Sequence, residues 1–81
     1  MMPIDRLMDG QSADDRGVIN FGYAMACKLR SKRNEGKRGW HDPHQCSIRR
    51  LRKMLREHIE KGDMVDIGNF AMMVWNREQM Q

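Results

Sequence analysis

The sequence predicts an all-α fold of three helices, the last two joined as an antiparallel helical hairpin. Three observations support this: apolar residues recur at helical spacing in three segments, capping residues precede those segments, and one Gly-Asp pair separates the last two. A turn this short favours antiparallel packing. Residues 1–11 show no periodicity, so we expect a flexible N-terminal arm there and a single helical domain over residues 12–81.

The first helix is predicted from about Ala13 to Asn34. Ser12 is a suitable N-cap, and cations crowd the last turns, where the helix dipole favours them. Gly36 offers a C-terminal stop. The predicted apolar stripe consists of Val18, Phe21, Gly22, Met25 and Leu29.

A loop is predicted between Gly36 and Cys46. Within it, Asp42 and Pro43 can start a helical turn, with the aspartate as cap and the proline in the first helical position. Trp40 is large and apolar, so we expect it to anchor the loop to the helices.

The second helix is predicted from about Ser47 to Lys61, followed by a break at Gly62 and Asp63. Its apolar face consists of Ile48, Leu51, Met54, Leu55 and Ile59. Asp63 then caps a third helix that extends to about Arg77.

Apolar side chains cover more than half of the third helix. One group is Ile67, Phe70, Ala71 and Val74; the second, which we call the interaction patch, is Val65, Gly68, Met72 and Trp75. A narrow polar strip, interrupted by Met73, consists of Asp66, Asn69, Asn76 and Arg77. A helix that is apolar nearly all round is buried nearly all round. We therefore expect the first group to pack inside the chain and the interaction patch to pack against a second copy or another protein. The alternative is a central core helix with poorly covered edges.

The length of 81 residues allows one domain with a small core, which dimerisation commonly supports. The N-terminus lacks the apolar stretch of a signal peptide, and no apolar run approaches the length of a membrane span. With only two cysteines, Cys27 and Cys46, we expect free thiols, a cytoplasmic location and no membrane association.

The net charge of +4 is unevenly distributed. Residues 28–61 contain twelve lysines and arginines against four acids, a net charge of +8. A basic centre suits an acidic partner such as nucleic acid, a nucleotide or an acidic protein, although such runs are often only solvated helix faces. The residues that we call the basic patch are Arg49, Arg52, Lys53 and Arg56.

Four acids form a candidate Mg²⁺ site, because this ion prefers oxygen ligands. They are Glu57, Glu60, Asp63 and Asp66. The helical periodicity points Glu57 and Glu60 away from the apolar face, at i,i+4 spacing from Lys53 and Arg56, and Asp63 is explained as a cap. We therefore expect solvated charges and one cap here.

A candidate zinc site comprises His41, His44 and Cys46, with Cys27 or His58 as a fourth ligand. The spacing matches no zinc motif, so we expect no metal and assign these residues to the loop and the core. The sequence contains no nucleophile motif and no phosphate-binding glycine loop. We expect no catalytic residues and no cofactor.

The segment 36–77 resembles small proteins of tailed phages and prophages, a family without a settled function. The motifs that carry the resemblance are Gly39-Trp40-His41-Asp42-Pro43, Glu60-Lys61-Gly62-Asp63 and Asn69-Phe70-Ala71-Met72-Met73. The segment is distantly similar to MazG-type all-helical nucleoside triphosphate pyrophosphohydrolases, which bind Mg²⁺ through acids on two neighbouring helices.

The MazG resemblance implies a helical hairpin, with the four acids above as the metal site. Arg56 stands where those enzymes place the first acid, so we expect no hydrolysis. The phage resemblance implies a small protein that binds a host protein or complex, as an inhibitor in host takeover or counter-defence, in the cytoplasm of the host cell. Nucleic-acid binding through the basic patch and MazG-like nucleotide binding are the alternatives.

Overall fold

The computed structural model describes residues 12–80, which form three α-helices. They are α1 (Ala13–Asn34), α2 (Ile48–Lys61) and α3 (Met64–Gln79). The predicted all-α fold is confirmed, and the predicted helix boundaries agree with the structure to within two residues. The predicted N-terminal arm lies outside the described residues.

Each helix begins at a side chain that accepts a hydrogen bond from the backbone N–H three residues later. The caps are Ser12, Ser47 and Asp63, with donor–acceptor distances of 3.0, 3.1 and 3.1 Å. The first backbone N–H groups of a helix have no partner within the helix, so these side chains satisfy donors that the sequence leaves open. Short polar residues therefore determine where all three helices start.

Helices α2 and α3 form the predicted antiparallel hairpin. Gly62 adopts a left-handed conformation with a φ of 79°, and its N–H donates to the carbonyl of His58 at 3.1 Å. This conformation suits glycine, which has no Cβ to clash. The His58 ring packs against Phe70 with a centroid distance of 4.6 Å, which confirms that the two helices run side by side.

Helix α3 is the central element, because α1 and α2 both pack against it. The buried apolar core consists of Leu51, Met73 and Val74. Partly buried side chains from every element surround it: Leu29, Trp40, Cys46, Leu55, Phe70 and Met72. The predicted role of Trp40 as the anchor of the loop is confirmed.

Two residues of the polar strip of α3, Asn69 and Arg77, face inward. Asn69 is 3% exposed and Arg77 is 6% exposed. The Asn69 side chain donates to the carbonyl of Met25 in α1 at 3.3 Å, and the Arg77 guanidinium donates to the carbonyls of Trp40 and Cys46 at 2.8 and 2.6 Å. Polar side chains are inside because the neighbouring backbone offers acceptors there.

Within the interaction patch, Gly68 lies against α1, and the four residues differ in exposure. A Cβ atom at Gly68 would lie 2.6 Å from the ring of Phe21, so the absence of a side chain at this position allows α1 to approach α3 closely. Met72 packs against the core, and Val65 is half-buried. Of the four residues, Trp75 is the one that stays widely exposed, at 60%.

Helix α1 contacts the start of α3 through ion pairs in its C-terminal half. The Lys28 ammonium lies 3.2 Å from the Asp66 carboxylate and 3.4 Å from that of Asp63. No residue of α1 is buried, and Val18 and Tyr23 are 64% and 74% exposed. Among the described residues, no helix has the length and apolar character needed to cross a membrane.

Candidate functional site

A cavity of about 520 Å³ lies between α1, the loop over residues 36–46, α2 and α3. Its apolar lining comes from all four segments and includes Leu29, Trp40, Met54, Phe70 and Met73. This volume is in the range of sites that hold small organic molecules. Trp40 of the loop both lines the cavity and packs against the core.

Cations dominate the polar lining of this cavity. They are Lys28, Lys32, Lys37, Arg38 and Arg50, whereas Asp66 is the single carboxylate in the lining. Asp66 is already paired with Lys28, and the hydrogen bond and charge of Asp66 raise the pKa of Lys28 above its usual value. The other four cations therefore give the cavity a positive potential.

The four remaining cations make few contacts within the described part of the chain. The Lys37 ammonium lies 3.8 Å from the Glu35 carboxylate, and Arg38 donates to the carbonyl of Arg33 at 3.2 Å. The side chains of Lys32 and Arg50 have neither an ion pair nor a hydrogen bond among residues 12–80. These donors are free to bind an anion.

Asn69 lines the cavity and carries one buried polar atom without a partner. Its Nδ2 donates to the Met25 carbonyl, whereas its Oδ1 is buried without a hydrogen-bond partner. The orientation of the amide is fixed, because a backbone carbonyl can only accept and therefore selects the nitrogen. A buried polar atom without a partner costs about 1–3 kcal/mol, so this oxygen lowers the stability of the fold.

The loop that closes the cavity is organised by Asp42. Its carboxylate accepts from the His44 backbone N–H at 2.9 Å and from the Gln45 side chain at 3.1 Å, and its carbonyl accepts from the Cys46 N–H at 2.9 Å. The His44 hydrogen bond holds the pKa of Asp42 below its usual value. The predicted turn after Asp42 is confirmed.

The four acids of the candidate Mg²⁺ site do not come together. Glu57 and Glu60 are exposed on α2, whereas Asp63 and Asp66 both lie against Lys28. Over residues 12–80 these four carboxylates therefore do not form a cluster that could hold a metal ion. The described residues also lack the surface ion pairs expected between α2 acids and the lysine or arginine one turn earlier.

The candidate zinc ligands are also dispersed. His41 and His44 are exposed in the loop, whereas Cys46 packs against the core and its carbonyl accepts from Arg77. Over residues 12–80, no group of three or more His, Cys, Asp or Glu side chains is arranged to hold a metal ion. Cys27 and Cys46 are both free thiols.

All members of the basic patch are exposed on α2. Arg49, Lys53 and Arg56 make no ion pair within residues 12–80, and Arg52 pairs with Glu78 at 2.9 Å. The patch is thus available to solvent and lies apart from the cavity lining, which takes Arg50 from the same helix.

Sequence reasoning missed the cavity cations and Asn69. Lys28, Lys32, Arg38 and Arg50 are distributed over two helices and a loop, so no linear motif joins them. The available signal was Asn69 itself, a polar residue inside a helix that is otherwise apolar.

Comparison of this chain with protein-family models, with curated proteins and with solved structures found no match.

Proposed function

We propose that this protein is a non-catalytic binding module that attaches to another protein. The observation that carries the proposal is the apolar surface exposed on α1 and α3. Val18, Tyr23 and Trp75 are each at least 60% exposed, and no residue of the 22-residue helix α1 is buried. Large exposed apolar surfaces are uncommon on monomers and typically mark interaction sites.

The energetics favour a partner on this surface. Isolated helices are marginally stable in water, and most helical stability comes from packing an apolar face. Covering apolar area contributes roughly 25 cal/mol per Å². A partner seated on the face of α1 that carries Val18 would therefore stabilise this helix.

The phage resemblance of segment 36–77 suggests the kind of partner. We infer a host protein or complex that this chain inhibits during host takeover or counter-defence, in the cytoplasm of the host cell. Free thiols at Cys27 and Cys46 fit a reducing compartment.

A second copy of the chain is the simplest partner for the same surface. Two-fold pairing is the commonest closed association, and an exposed tryptophan at its centre would dominate the binding energy. In this homodimer Trp75 is the anchor of the interface, because it is exposed while Gly68 lies against α1.

The test compares Trp75→Asp with Ile59→Asp, a matched change at an exposed apolar residue on α2. Solution mass by light scattering and retention of a purified host partner are measured for both variants and the wild type. We expect Trp75→Asp to lower self-association or partner affinity at least about tenfold, since buried tryptophans often contribute 2 kcal/mol or more. Equal binding by all three proteins would contradict the proposal.

Nucleic-acid binding is a second candidate, which the exposed basic patch favours. Arg49, Lys53 and Arg56, together with Arg52, occupy i, i+3, i+4 and i+7 positions, so they share one face of α2. Four cations on one face can contact successive phosphates along a duplex.

This candidate is tested by the salt dependence of affinity for a labelled DNA duplex. Replacing Arg49 and Lys53 with Gln is expected to reduce the slope of log affinity against log salt by about two, since each phosphate contact contributes roughly one. The control replaces Arg30 and Lys61 with Gln, two exposed cations outside the patch. An equal change in both double variants would indicate non-specific charge attraction and contradict a site on α2.

A further inference from the structure

We propose that the cavity between α1, the 36–46 loop, α2 and α3 receives an acidic amphipathic helix of a partner protein. Apolar side chains of that helix enter the cavity, and its carboxylates pair with the cations of the lining. The proposal rests on the protein-binding function proposed above and states the chemistry of the partner. The contact is separate from the exposed apolar surface, because Val18, Tyr23 and Trp75 do not line the cavity.

The arrangement of the three helices leaves room for another helix. Helices α1 and α2 both pack on α3, but within residues 12–80 they do not pack against each other. The cavity occupies this gap, with Leu29 of α1, Met54 of α2, and Phe70 and Met73 of α3 in its lining. An amphipathic helix that lays its apolar face into a groove between helices is a recurring mode of peptide recognition.

The volume of the cavity, about 520 Å³, determines how such a helix would sit. It accommodates a few side chains and not a whole helix. The partner helix would therefore lie along the opening between α1 and α2 and insert only its apolar side chains. Its flanking side chains would then lie beside the charged residues of the cavity lining.

The charge of the cavity lining selects an acidic partner. Lys32 on α1 and Arg50 on α2 have no partner for their side chains among residues 12–80, and Lys37 and Arg38 in the loop are exposed. The single carboxylate in the lining is already in an ion pair. Because like charges across an interface are costly and opposite charges guide association, glutamates or aspartates are the complementary groups.

The apolar part of the lining favours a protein over a nucleic acid. Leu29, Met54 and Phe70 are only partly buried, and Met54 and Met73 supply two flexible thioether side chains. Methionines adapt to apolar side chains of different shapes and are frequent at binding surfaces that accept varied partners. A duplex presents phosphates to the cations but has no apolar side chains with which to fill the cavity.

The experiment uses the full chain and a labelled designed peptide of about 15 residues, a length at which isolated helices become stable. Leucines at i, i+3, i+4 and i+7 form its apolar face, and glutamates flank them. The controls are the same residues in scrambled order and the same peptide with lysine in place of glutamate. Fluorescence anisotropy should show the acidic amphipathic peptide binding at least about tenfold more tightly than either control. Equal binding of a control, or no binding at roughly millimolar concentration, would overturn the proposal.

Two charge-matched double variants locate the binding. Replacing Lys32 and Arg50 with Glu should weaken the acidic peptide at least about tenfold. The control replaces Arg30 and Lys61 with Glu, one exposed cation on each of the same two helices outside the cavity lining, and should change the affinity less than about threefold. Circular dichroism verifies folding of both variants. Equal losses in the two variants would overturn the assignment to the cavity.

A charge swap separates direct contact from a general loss of folding. The lysine peptide should bind the Lys32→Glu, Arg50→Glu variant at least about threefold more tightly than it binds the wild type, since the contacts are again complementary. No gain would overturn the proposal. A loss of DNA affinity in this variant, with unchanged affinity for the acidic peptide, would assign the two cations to nucleic acid and also overturn it.

The peptide titration and the Trp75→Asp experiment fail independently, because Trp75 lies outside the cavity lining. If the acidic peptide does not bind while Trp75→Asp weakens self-association or partner binding, this inference is wrong and the proposed function stands. If the acidic peptide binds at the cavity while Trp75→Asp has no effect, the cavity is confirmed as a protein-binding site and the exposed surface of α1 and α3 is not one.

Discussion

At the scale of single residues, Arg77 shows how one cation on an apolar helix can hold a loop in place. Its guanidinium is almost fully buried and donates to the carbonyls of Trp40 and Cys46, at the two ends of the loop segment that closes the cavity. A lysine has no planar set of donors with which to bridge two carbonyls in this way. The loop therefore depends on a residue 31 positions or more away in the sequence.

We predict that Arg77→Met lowers the free energy of unfolding by about 2–4 kcal/mol, because two carbonyls lose a charged donor. The measurement is urea unfolding followed by fluorescence, with Trp75→Phe as the background so that Trp40 alone reports. Arg52→Met is the control, since its exposed pair with Glu78 should contribute less than about 1 kcal/mol. Similar losses in both variants would contradict the bridging role.

Gly68 is a second residue whose importance comes from a neighbour. A Cβ atom there would lie 2.6 Å from the Phe21 ring, whereas a Cβ atom at Gly17 would meet nothing within 4 Å. Alanine normally stabilises a helix interior by about 0.5–1 kcal/mol relative to glycine. The two glycines should therefore respond differently to the same substitution.

We predict that Gly17→Ala raises the free energy of unfolding by about 0.5–1 kcal/mol and that Gly68→Ala is less favourable by about 1–2 kcal/mol. In a Phe21→Ala background the difference should shrink, because the clashing ring is gone. A thermal-unfolding double-mutant cycle measures this coupling. A coupling of zero would show that Phe21 moves aside without cost and would contradict close packing of α1 on α3.

At the scale of elements, Lys28, Asp63 and Asp66 join the middle of α1 to the start of α3. Asp63 caps α3 through the Asp66 N–H and lies 3.4 Å from the Lys28 ammonium. The hydrogen bond from the Asp66 N–H, and then the charge of Lys28, hold the pKa of Asp63 below its usual value of 3.8. Asp66 and Asp63 raise the pKa of Lys28 above 10.5.

The pH dependence of stability follows from these directions. A carboxyl group with a lowered pKa stabilises the fold above its unfolded pKa, and this stabilisation is lost as the pH falls through the lowered value. The raised pKa of Lys28 has the opposite effect: its contribution is present below pH 10.5 and is lost as the pH rises through the raised value.

We predict that Asp63→Asn, which retains a capping oxygen, flattens the loss of stability below pH 3.8. Urea midpoints between pH 2 and 7 measure this slope, with buffers and salt held constant (the pH limits are set by roughly where carboxylates titrate). Glu57→Gln, at an exposed site on α2, serves as the control and should keep the wild-type slope. An unchanged acid slope in Asp63→Asn would contradict the ion-pair and cap geometry.

The three helices and the hairpin could be predicted because their determinants are local. Ser12, Ser47 and Asp63 cap the helices, and Gly62 ends α2, each within a few residues of the boundary that it sets. The inward-facing side of α3 could not be predicted in the same way. Asn69 and Arg77 are buried because they donate to backbone carbonyls, which every residue carries and no sequence pattern reveals.

The cavity and its lining residues could not be predicted from the sequence either. Its cations come from α1, the loop and α2, and they meet only because α3 lies between the other two helices. The net positive charge of residues 28–61 can be counted in the sequence. Which of these cations line one cavity depends on the tertiary arrangement. Of the interaction patch, Trp75 remains exposed, while α1 covers Gly68.

At the scale of the whole molecule, stability is distributed unequally between the hairpin and α1. Helices α2 and α3 share the buried core, whereas α1 contributes partly buried side chains such as Leu29 and no buried residue. Segments with few buried apolar contacts open at lower free energy than the core. Helix α1 should therefore be the least stable element of the chain when no partner is bound.

We predict that backbone amides in the first half of α1 exchange with solvent about tenfold faster or more than those in the middle of α3, which corresponds to an opening free energy lower by about 1.4 kcal/mol. The comparison is made on the same sample by hydrogen–deuterium exchange, with amides around Val18 set against those around Met73. If a second copy covers α1, the α1 amides should exchange more slowly as protein concentration rises. If a host protein covers α1, they should exchange more slowly when that protein is added. The amides near Met73 should change little in either case. Equal exchange rates in α1 and α3 of a dilute monomer would contradict the unequal stability of the two helices. They would also contradict the need for a partner on α1, since a helix that is already stable alone gains no stability from being covered.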